Sequence, residues 1–161
     1  MKSLGTLMVN LLASVVMAFN PITGKVATVV DGNTLVVISE GDTYQVVLHD
    51  VDSPEPGQPY AEEARMHLEK ILLNKNITVE LTGKDRHGNY LGVVYIHASI
   101  DLRHELVQKG LAWASEKCSH PELLKLQERA QQAKAGLWSE DSPTPPWVFR
   151  RQQSMLTVKG S

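Results

Sequence analysis

The stretch VATVVDGNTLVVISEGDTYQVVLHDV at residues 26–51 decides the fold, because it carries three strand-like segments separated by two turn signals. The segments at 26–30, 35–39 and 44–51 are rich in Val, Ile and Thr, which favour pleated strands. Asp31-Gly32-Asn33 and Glu40-Gly41-Asp42 separate them, and these residue types favour tight turns. The stretch therefore predicts three consecutive short strands.

The next part of the chain changes from helical to strand periodicity. Ala64, Leu68, Ile71 and Leu72 recur at helical spacing, which predicts an amphipathic helix. Apolar and polar residues then alternate over 77–82, and this pattern predicts a fourth strand with one buried side. After the turn at 87–89, a fifth strand is expected over 91–96.

Beyond residue 100 the period is helical again. An apolar stripe over 102–111, which Gly110 interrupts near its end, predicts a second helix. A third helix is expected to begin at Ser119, whose side chain can cap its first turn with help from Glu122, and to end at Gly136. The prolines of 142–147 predict an extended strap that packs Trp147 on the body, and 151–161 a mobile tail.

Five short strands with one helix after the third, followed by further helices, suit a small closed barrel. The predicted fold class is α+β, with a five-stranded barrel like the oligonucleotide- and oligosaccharide-binding (OB) fold and three helices. The 161 residues, 42% of them apolar, fit one such domain, which we expect to span 19–150 as a monomer.

The first 18 residues form a separate segment. Lys2 precedes an uncharged apolar run from Leu4 to Ala18, which is short for a bilayer span of about 20 residues. The run ends in Val16-Met17-Ala18, as a signal peptidase site would. We predict that 1–18 is a cleaved signal peptide and that the protein is secreted or periplasmic, with no membrane segment after cleavage. An uncleaved anchor is the alternative.

Charge and cysteine content narrow the classes of partner. The chain has 16 basic and 18 acidic residues, a net charge of −2, and loss of Lys2 would make it −3. Tight nucleic-acid binders usually carry a basic excess, because phosphate neutralisation supplies most non-specific affinity. Cys118 is the only cysteine, so it forms either a free buried thiol or a bridge to another molecule.

Six local signatures, in order from about 24 to 138, resemble the staphylococcal nuclease family. They are Val30-Asp31-Gly32-Asn33-Thr34, Val51-Asp52-Ser53-Pro54-Glu55, the stretch QPYAEEA at 58–64, Asp85-Arg86-His87-Gly88-Asn89, the stretch LVQKGLA at 106–112, and Ala135-Gly136-Leu137-Trp138. The resemblance implies the barrel fold and a site that cleaves phosphodiester bonds. It also implies a calcium ion held by two aspartates and a backbone carbonyl, with one glutamate and two arginines beside it.

The resemblance places those roles on specific residues, several of which are replaced. Asp52 and the carbonyl of Ser53 match metal ligands and Glu55 matches the glutamate, but Asn33 stands where the second aspartate belongs. Val47 and Asn89 stand at the two arginine positions. His87 replaces a tyrosine, and Ser115 and Cys118 fall at aromatic positions near the substrate.

These substitutions predict weak calcium binding and very weak catalysis, because neither arginine replacement is a guanidinium. Ordinary readings stay open for the retained residues: Asp52 as a turn cap and Glu55 as a solvated loop carboxylate. His49, Asp50, Asp52 and His87 could form a replacement metal site, although strand alternation would separate His49 from Asp50. Arg86 could replace a missing arginine or could be a solvated turn residue.

Two classes of function follow. The first is an exported binding module for nucleic acid, an oligosaccharide or a protein, with a degenerate phosphodiesterase site. The second is an enzyme, a weak calcium-dependent endonuclease that hydrolyses DNA and RNA without regard to the sugar. Whether the chain is an enzyme is therefore left open by its sequence.

Overall fold

The computed structural model of the protein describes residues 21–97 and 99–159. The predicted signal peptide, 1–18, lies outside these residues. Within the part described, no helix has both the length and the apolar character needed to cross a bilayer. In chain order the elements are β1 (Ile22–Val29), β2 (Thr34–Ser39), β3 (Asp42–Leu48), β4 (Val51–Asp52), α1 (Ala61–Leu72), β5 (Asn76–Lys84), β6 (Tyr90–Ile96), β7 (Ile100–Asp101), α2 (Leu102–Gln108), β8 (Trp113–Ala114), α3 (Pro121–Gln132), a 3-10 turn (Gly136–Ser139) and α4 (Pro146–Lys159).

Five of the strands form a closed barrel. Their order is β3-β2-β1-β5-β6, and β3 also pairs in parallel with β6, which closes the sheet on itself. The other barrel pairings are antiparallel. Closure removes the open edges that would otherwise expose unpaired backbone groups. The predicted α+β, OB-like barrel is confirmed, although the described part of the chain has four α-helices instead of three.

The core lies inside the barrel and under two helices. Val26, Leu35, Val46 and other barrel side chains are fully buried, and the alternation predicted for β5 places Ile77, Val79 and Leu81 inside. Leu68 of α1 and Leu106 of α2 close the two sides of this core with no exposed surface. Apolar burial of this kind is the main force that holds the barrel and helices together.

Two predicted helix ends are wrong in detail. His120, not Ser119, precedes α3, and no side chain caps the helix. Pro121 occupies the first helical position, where its fixed φ suits the helix and it has no backbone N–H to satisfy. At the other end, α3 ends at Gln132 and not at Gly136, and Lys134 adopts a left-handed backbone conformation (φ 49°) between them. Gly136 instead begins the 3-10 turn.

The C-terminal segment also differs from the expected strap. Residues 142–145 are irregular, but α4 begins at Pro146 and continues to Lys159, so most of the predicted tail 151–161 is helical. Proline is compatible with a first helical position, which is why a proline-rich stretch could lead into a helix. The expected packing of Trp147 is confirmed, since its ring lies edge-on to Trp113 with 5.7 Å between ring centroids.

Candidate active site

A pocket opens at one edge of the barrel, where four turns and α4 meet. It brings together six of the residues expected at the site: Asn33, Val47, Asp52, Glu55, His87 and Ser115. Ser53, Asn89 and Cys118 are not among its lining residues, although each lies close in sequence to one that is. The remaining lining residues are Asp31, Thr34, Leu48, His49, Asp50, Val51, Asp85, Arg86, Leu91 and Arg150.

The floor of the pocket is a turn, not the continuous strand predicted over 44–51. Strand β3 ends at Leu48, and Asp50 takes a left-handed backbone conformation (φ 64°) before β4 pairs with β8. The backbone N–H of Ser115 donates to the carbonyl of Asp50 at 2.9 Å, which ties this turn to the segment after α2. Strand alternation therefore does not separate His49 from Asp50. Their side chains lie 3.7 Å apart, from Nε2 to Oδ1.

Arg103 supports this turn from below. Its side chain is only 5% exposed, and its guanidinium binds Asp101 through Nη2 at 2.7 Å. Its Nη1 donates to the carbonyl of His49 at 3.3 Å and lies 3.6 Å from Oδ2 of Asp50. Burial lowers the pKa of Arg103, but its hydrogen bonds to Asp101 and the charges of Asp101 and Asp50 outweigh this and leave the pKa above its usual value. Arg103 is thus a charged anchor for the pocket floor.

Asn33 is held by neighbours on the β4 side of the pocket. Its Oδ1 accepts a hydrogen bond from the hydroxyl of Ser53 at 2.8 Å, and Ser53 is buried. Its Nδ2 points to the carbonyl of Val51 at 3.5 Å. The neutral amide thus joins the β1–β2 turn to β4 and the loop after it. An aspartate in place of Asn33 could accept the hydrogen bond from Ser53 but could not donate one to the carbonyl of Val51.

The two positions expected for arginines hold side chains without a guanidinium group. Val47 pairs with Thr34 on β2 and with Leu91 on β6, and its isopropyl group reaches the pocket wall. Asn89 turns back into the β5–β6 turn, where its Nδ2 donates to Oδ2 of Asp85 at 2.9 Å. At these two positions the site lacks the forked donors that bind phosphate well.

Asp85 organises the β5–β6 turn. Burial raises the pKa of its carboxyl, but the hydrogen bonds from the Asn89 side chain and from the backbone N–H groups of Asn89 and His87 outweigh this and hold the pKa below its usual value. Arg86 is exposed, as expected of a solvated turn residue, and its Nε lies 3.1 Å from Nε2 of His87. Both Arg86 and His87 nevertheless line the pocket.

Arg150 of α4 also lines the pocket, and the sequence did not predict it. Its guanidinium forks onto Asp52, with Nη2–Oδ2 at 2.7 Å and Nη1–Oδ1 at 3.1 Å. The same Nη1 donates to Oε1 of Glu55. Hydrogen bonds to Asp52 and Glu55, together with their charges, raise the pKa of Arg150 despite the opposing effect of burial. One cation of the chain therefore neutralises part of the charge of two carboxylates.

The residues of this pocket, as they are arranged, do not fit a calcium ion. Calcium takes six to eight oxygen ligands and binds more tightly as the negative charge of the ligands rises. Both oxygens of Asp52 and one of Glu55 are bonded to Arg150, and Oδ1 of Asn33 accepts from Ser53. The replacement metal site considered at His49, Asp50, Asp52 and His87 is not formed either. Within 21–97 and 99–159, no three His, Cys, Asp or Glu side chains are grouped so as to hold a metal ion.

Cys118 lies apart from the pocket, half-buried against the barrel core. Burial raises the pKa of its thiol, so little thiolate forms at neutral pH. The backbone N–H of Cys118 donates to the carbonyl of Ser115 at 2.9 Å, which fixes the turn after β8. The free, buried thiol expected as one alternative agrees with this position.

Comparison with known proteins identifies the class. Residues 45–140 match the family model described as staphylococcal nuclease homologue, so the chain belongs to that family. A protein named uncharacterized endonuclease from Escherichia coli O157:H7 is 34% identical over 131 residues, covering 81% of this chain and 86% of that protein. One of the same name from Haemophilus influenzae is 34% identical over 135 residues, covering 83% and 75%. A micrococcal nuclease from Shigella flexneri is 30% identical over 145 residues, covering 83% of each chain.

Sequence reasoning missed Arg103 and Arg150 for different reasons. Arg103 stands one position after the first residue of α2 and resembles any polar residue on a helix surface. Arg150 lies between the predicted strap over 142–147 and the predicted tail over 151–161, where no helix was expected. A weak signal was present in Trp147 and Phe149, two large aromatic residues that would be costly to expose and that indicate a docked segment.

Proposed function

We propose that this protein is an exported member of the staphylococcal nuclease family that acts by binding a partner and has lost efficient phosphodiester cleavage. The observation that carries the proposal is the state of the two arginine positions. Val47 presents only a hydrocarbon surface to the pocket, and the side-chain amide of Asn89 donates its hydrogen bond to Asp85. The role of a neutral Asn33 at a metal-ligand position points the same way.

The size of the catalytic loss follows from what such donors do. A donor aimed at the charge that develops in a transition state is worth about 3–4 kcal/mol in other enzymes. Loss of two arginines and one ligand charge would cost on the order of 6 kcal/mol or more, which is about four decades in rate. Such losses are not additive, so this figure sets a scale.

The charge of the pocket favours a ligand other than a polyanion. Five carboxylates and two guanidinium groups line it, which leaves a fixed charge of −3 when the histidines are neutral. A phosphodiester backbone entering this pocket would meet net repulsion, whereas a neutral oligosaccharide or a protein surface would not. Barrels of this architecture bind ligands of all these kinds, so the fold itself is compatible with each.

A weak calcium-dependent endonuclease without sugar preference is the second candidate. It is favoured by one observation, that Arg150 and Arg86 bring two guanidinium groups into the pocket from positions other than the two expected for arginines. Arg150 is committed to Asp52 and Glu55, and Arg86 stands on an exposed turn. For either to serve catalysis it would have to turn toward a bound phosphate.

A nuclease assay with matched variants separates the two candidates. Purified protein is incubated with single-stranded DNA and with RNA, in calcium and then in EDTA, beside the variant Glu55→Gln. We expect cleavage about four decades slower than that of an active family member, with no difference between wild type and variant. Efficient cleavage that EDTA and Glu55→Gln both abolish would establish the enzyme and overturn the binding module.

A restored variant tests whether the scaffold is otherwise intact. Asn33→Asp, Val47→Arg and Asn89→Arg are combined in one chain, and recovered EDTA-sensitive cleavage is the expected result. Export is tested separately by N-terminal sequencing of protein recovered from the medium or periplasm. A mature chain beginning at Phe19 would support cleavage after Ala18, and a chain still carrying 1–18 would contradict it.

A further inference from the structure

The position of Arg150 bears on what the acidic pair in the pocket can bind. A calcium ion shared by Asp52 and Glu55 would have to lie between their carboxylate oxygens. That place is taken by the guanidinium of Arg150, which contacts both oxygens of Asp52 and one of Glu55. A guanidinium and a metal ion are both cations, so the two would compete for the same oxygens by charge as well as by volume.

The contact is built into the fold and is not a chance meeting of long side chains. Trp147, three residues before Arg150, packs on Trp113. Phe149, the residue before Arg150, lines an apolar cavity with Pro54 and Leu137. These contacts hold the first turn of α4 over the loop that carries Glu55. Packing of the two aromatic side chains therefore fixes the backbone of α4 near the carboxylates. Less conformational entropy is then lost when the Arg150 side chain binds them.

A second link connects the same loop to the segment that leads into α4. The side chain of Gln58 accepts a hydrogen bond from the backbone N–H of Glu55 at 2.8 Å. Through its Nε2 it donates to the carbonyl of Thr144 at 2.7 Å. The Glu55 loop and the start of α4 are thus joined both by this glutamine and by Arg150, which makes their relative position definite.

We propose that Arg150 is the resident cation of this site, so that Asp52 and Glu55 form a guanidinium site from which a divalent ion is excluded until α4 releases the arginine. The proposal rests on the proposed function in one respect, since it takes these carboxylates to be what survives of the family's metal site. It adds a residue that determines which cation the site accepts. Ion binding and the Arg150 contact are mutually exclusive states of the pocket.

The expected effect follows from the population of the released state. The apparent dissociation constant of an ion equals the intrinsic constant divided by the fraction of molecules in which Arg150 has left. If about a tenth of the molecules are released, removal of the side chain tightens calcium binding about tenfold. The Arg150 side chain is 48% exposed, so solvent screening limits the contact to an effect of this order.

Calorimetric titration with calcium chloride tests the proposal on the full chain. We expect Arg150→Ala to bind calcium about tenfold more tightly than wild type. Arg151→Ala is the matched control, because Arg151 is next along the same helix but pairs with the exposed Glu116, and it should match wild type. Adding Asp52→Asn to Arg150→Ala should remove the gained binding. Equal affinities of wild type and Arg150→Ala, including no measurable binding by either, would overturn the proposal.

A competition experiment checks the chemistry of the occupant. Millimolar methylguanidinium should weaken calcium binding by Arg150→Ala and leave wild type unchanged, because the free cation can refill the vacated place. Absence of competition would contradict a guanidinium site. Circular dichroism confirms that each variant is folded, and Arg150→Gln, which keeps most of the side-chain length, replaces the alanine variant if that one unfolds.

This result is separable from the nuclease assay. Efficient cleavage by wild type would overturn the proposed function without deciding whether Arg150 excludes calcium. Tight calcium binding by wild type, unaffected by Arg150→Ala, would overturn the proposal that Arg150 excludes calcium. It would leave the proposed loss of cleavage untouched. The two measurements therefore fail independently.

Discussion

At the scale of single residues, the site depends on arginines that lie outside the family motifs. Arg103 is buried, and its guanidinium contacts the carboxylates of Asp101 and Asp50 and the carbonyl of His49. Asp101 also caps α2 by accepting from the backbone N–H of Arg103 at 2.9 Å. A buried charge with partners on two elements is worth most when every partner is present, since a lone charge left behind is costly.

We predict that Arg103→Met strongly destabilises the fold. The methionine keeps much of the side-chain volume but leaves Asp101, whose side chain is 11% exposed, without its cation. The free energy of unfolding should fall by roughly 3–5 kcal/mol, as when one partner of a buried pair is removed. Urea unfolding followed by tryptophan fluorescence measures this.

The control for Arg103→Met is again Arg151→Ala. Arg151 and Glu116 form a pair in which both side chains are about half exposed, 54% and 49%. Pairs of this kind contribute about 1 kcal/mol at most, so this variant should unfold close to wild type. Similar losses in the two variants would show that Arg103 is no more important than a surface arginine.

At the scale of elements, the end of α2 and the 3-10 turn pack through two glycines. Gly110 has φ +65° and Gly136 has φ +53°, a backbone conformation that residues other than glycine rarely adopt. A Cβ atom on Gly110 would lie 2.0 Å from the Ala135 carbonyl oxygen, and one on Gly136 would lie 2.3 Å from that of Gly110. The backbone N–H of Leu137 also donates to the Gly110 carbonyl at 2.9 Å.

We predict that Gly110→Ala costs about 2–4 kcal/mol in the free energy of unfolding, because backbone strain and a steric clash with backbone add together. Gly41→Ala is the matched control: Gly41 has φ +91°, but a Cβ there would meet no atom within 4 Å. It should lose only the backbone part, about 1–2 kcal/mol. Denaturant unfolding of both variants gives the comparison, and equal losses would mean that the contact with the 3-10 turn contributes nothing.

At the scale of the whole molecule, the chain has no excess of basic residues. The sequence carries a net charge of −2, and the charged groups that line the pocket are mostly acidic. Binding to single-stranded nucleic acid is strong where a basic groove follows the backbone and aromatic side chains stack on the bases. Ser115 and Cys118 stand where the family resemblance led us to expect aromatic side chains, and Cys118 packs on the core.

We predict weak binding to a single-stranded oligonucleotide with a shallow dependence on salt. A protein that makes 6–10 phosphate contacts loses about three to five decades of affinity between 50 and 200 mM salt. This protein should lose less than about one decade, which fluorescence anisotropy measures directly. In the comparison variant Arg86→Ala, an unchanged salt slope is expected; a steep wild-type slope that falls by about one on this substitution would identify Arg86 as a phosphate ligand.

The strands and helices could be predicted because their signals are local. Alternation at Ile77, Val79 and Leu81 identifies β5, and apolar spacing at Ala64 and Leu68 identifies α1, without knowledge of the rest of the chain. The ends of elements also depend on partners elsewhere in the chain. The expected strand over 44–51 continued through the turn at Asp50, since nothing in its residue types shows that β4 pairs with β8.

The sequence by itself determined the period of each element, the family, and the absence of guanidinium groups at Val47 and Asn89, since all of these depend on residue types at fixed spacing. Only the tertiary structure decided that β3 closes onto β6 and that Arg150 meets Asp52 across 98 positions of the chain. Pairings so distant in sequence depend on how whole elements pack. Local patterns do not carry that information, because many different packings would bury the same apolar faces.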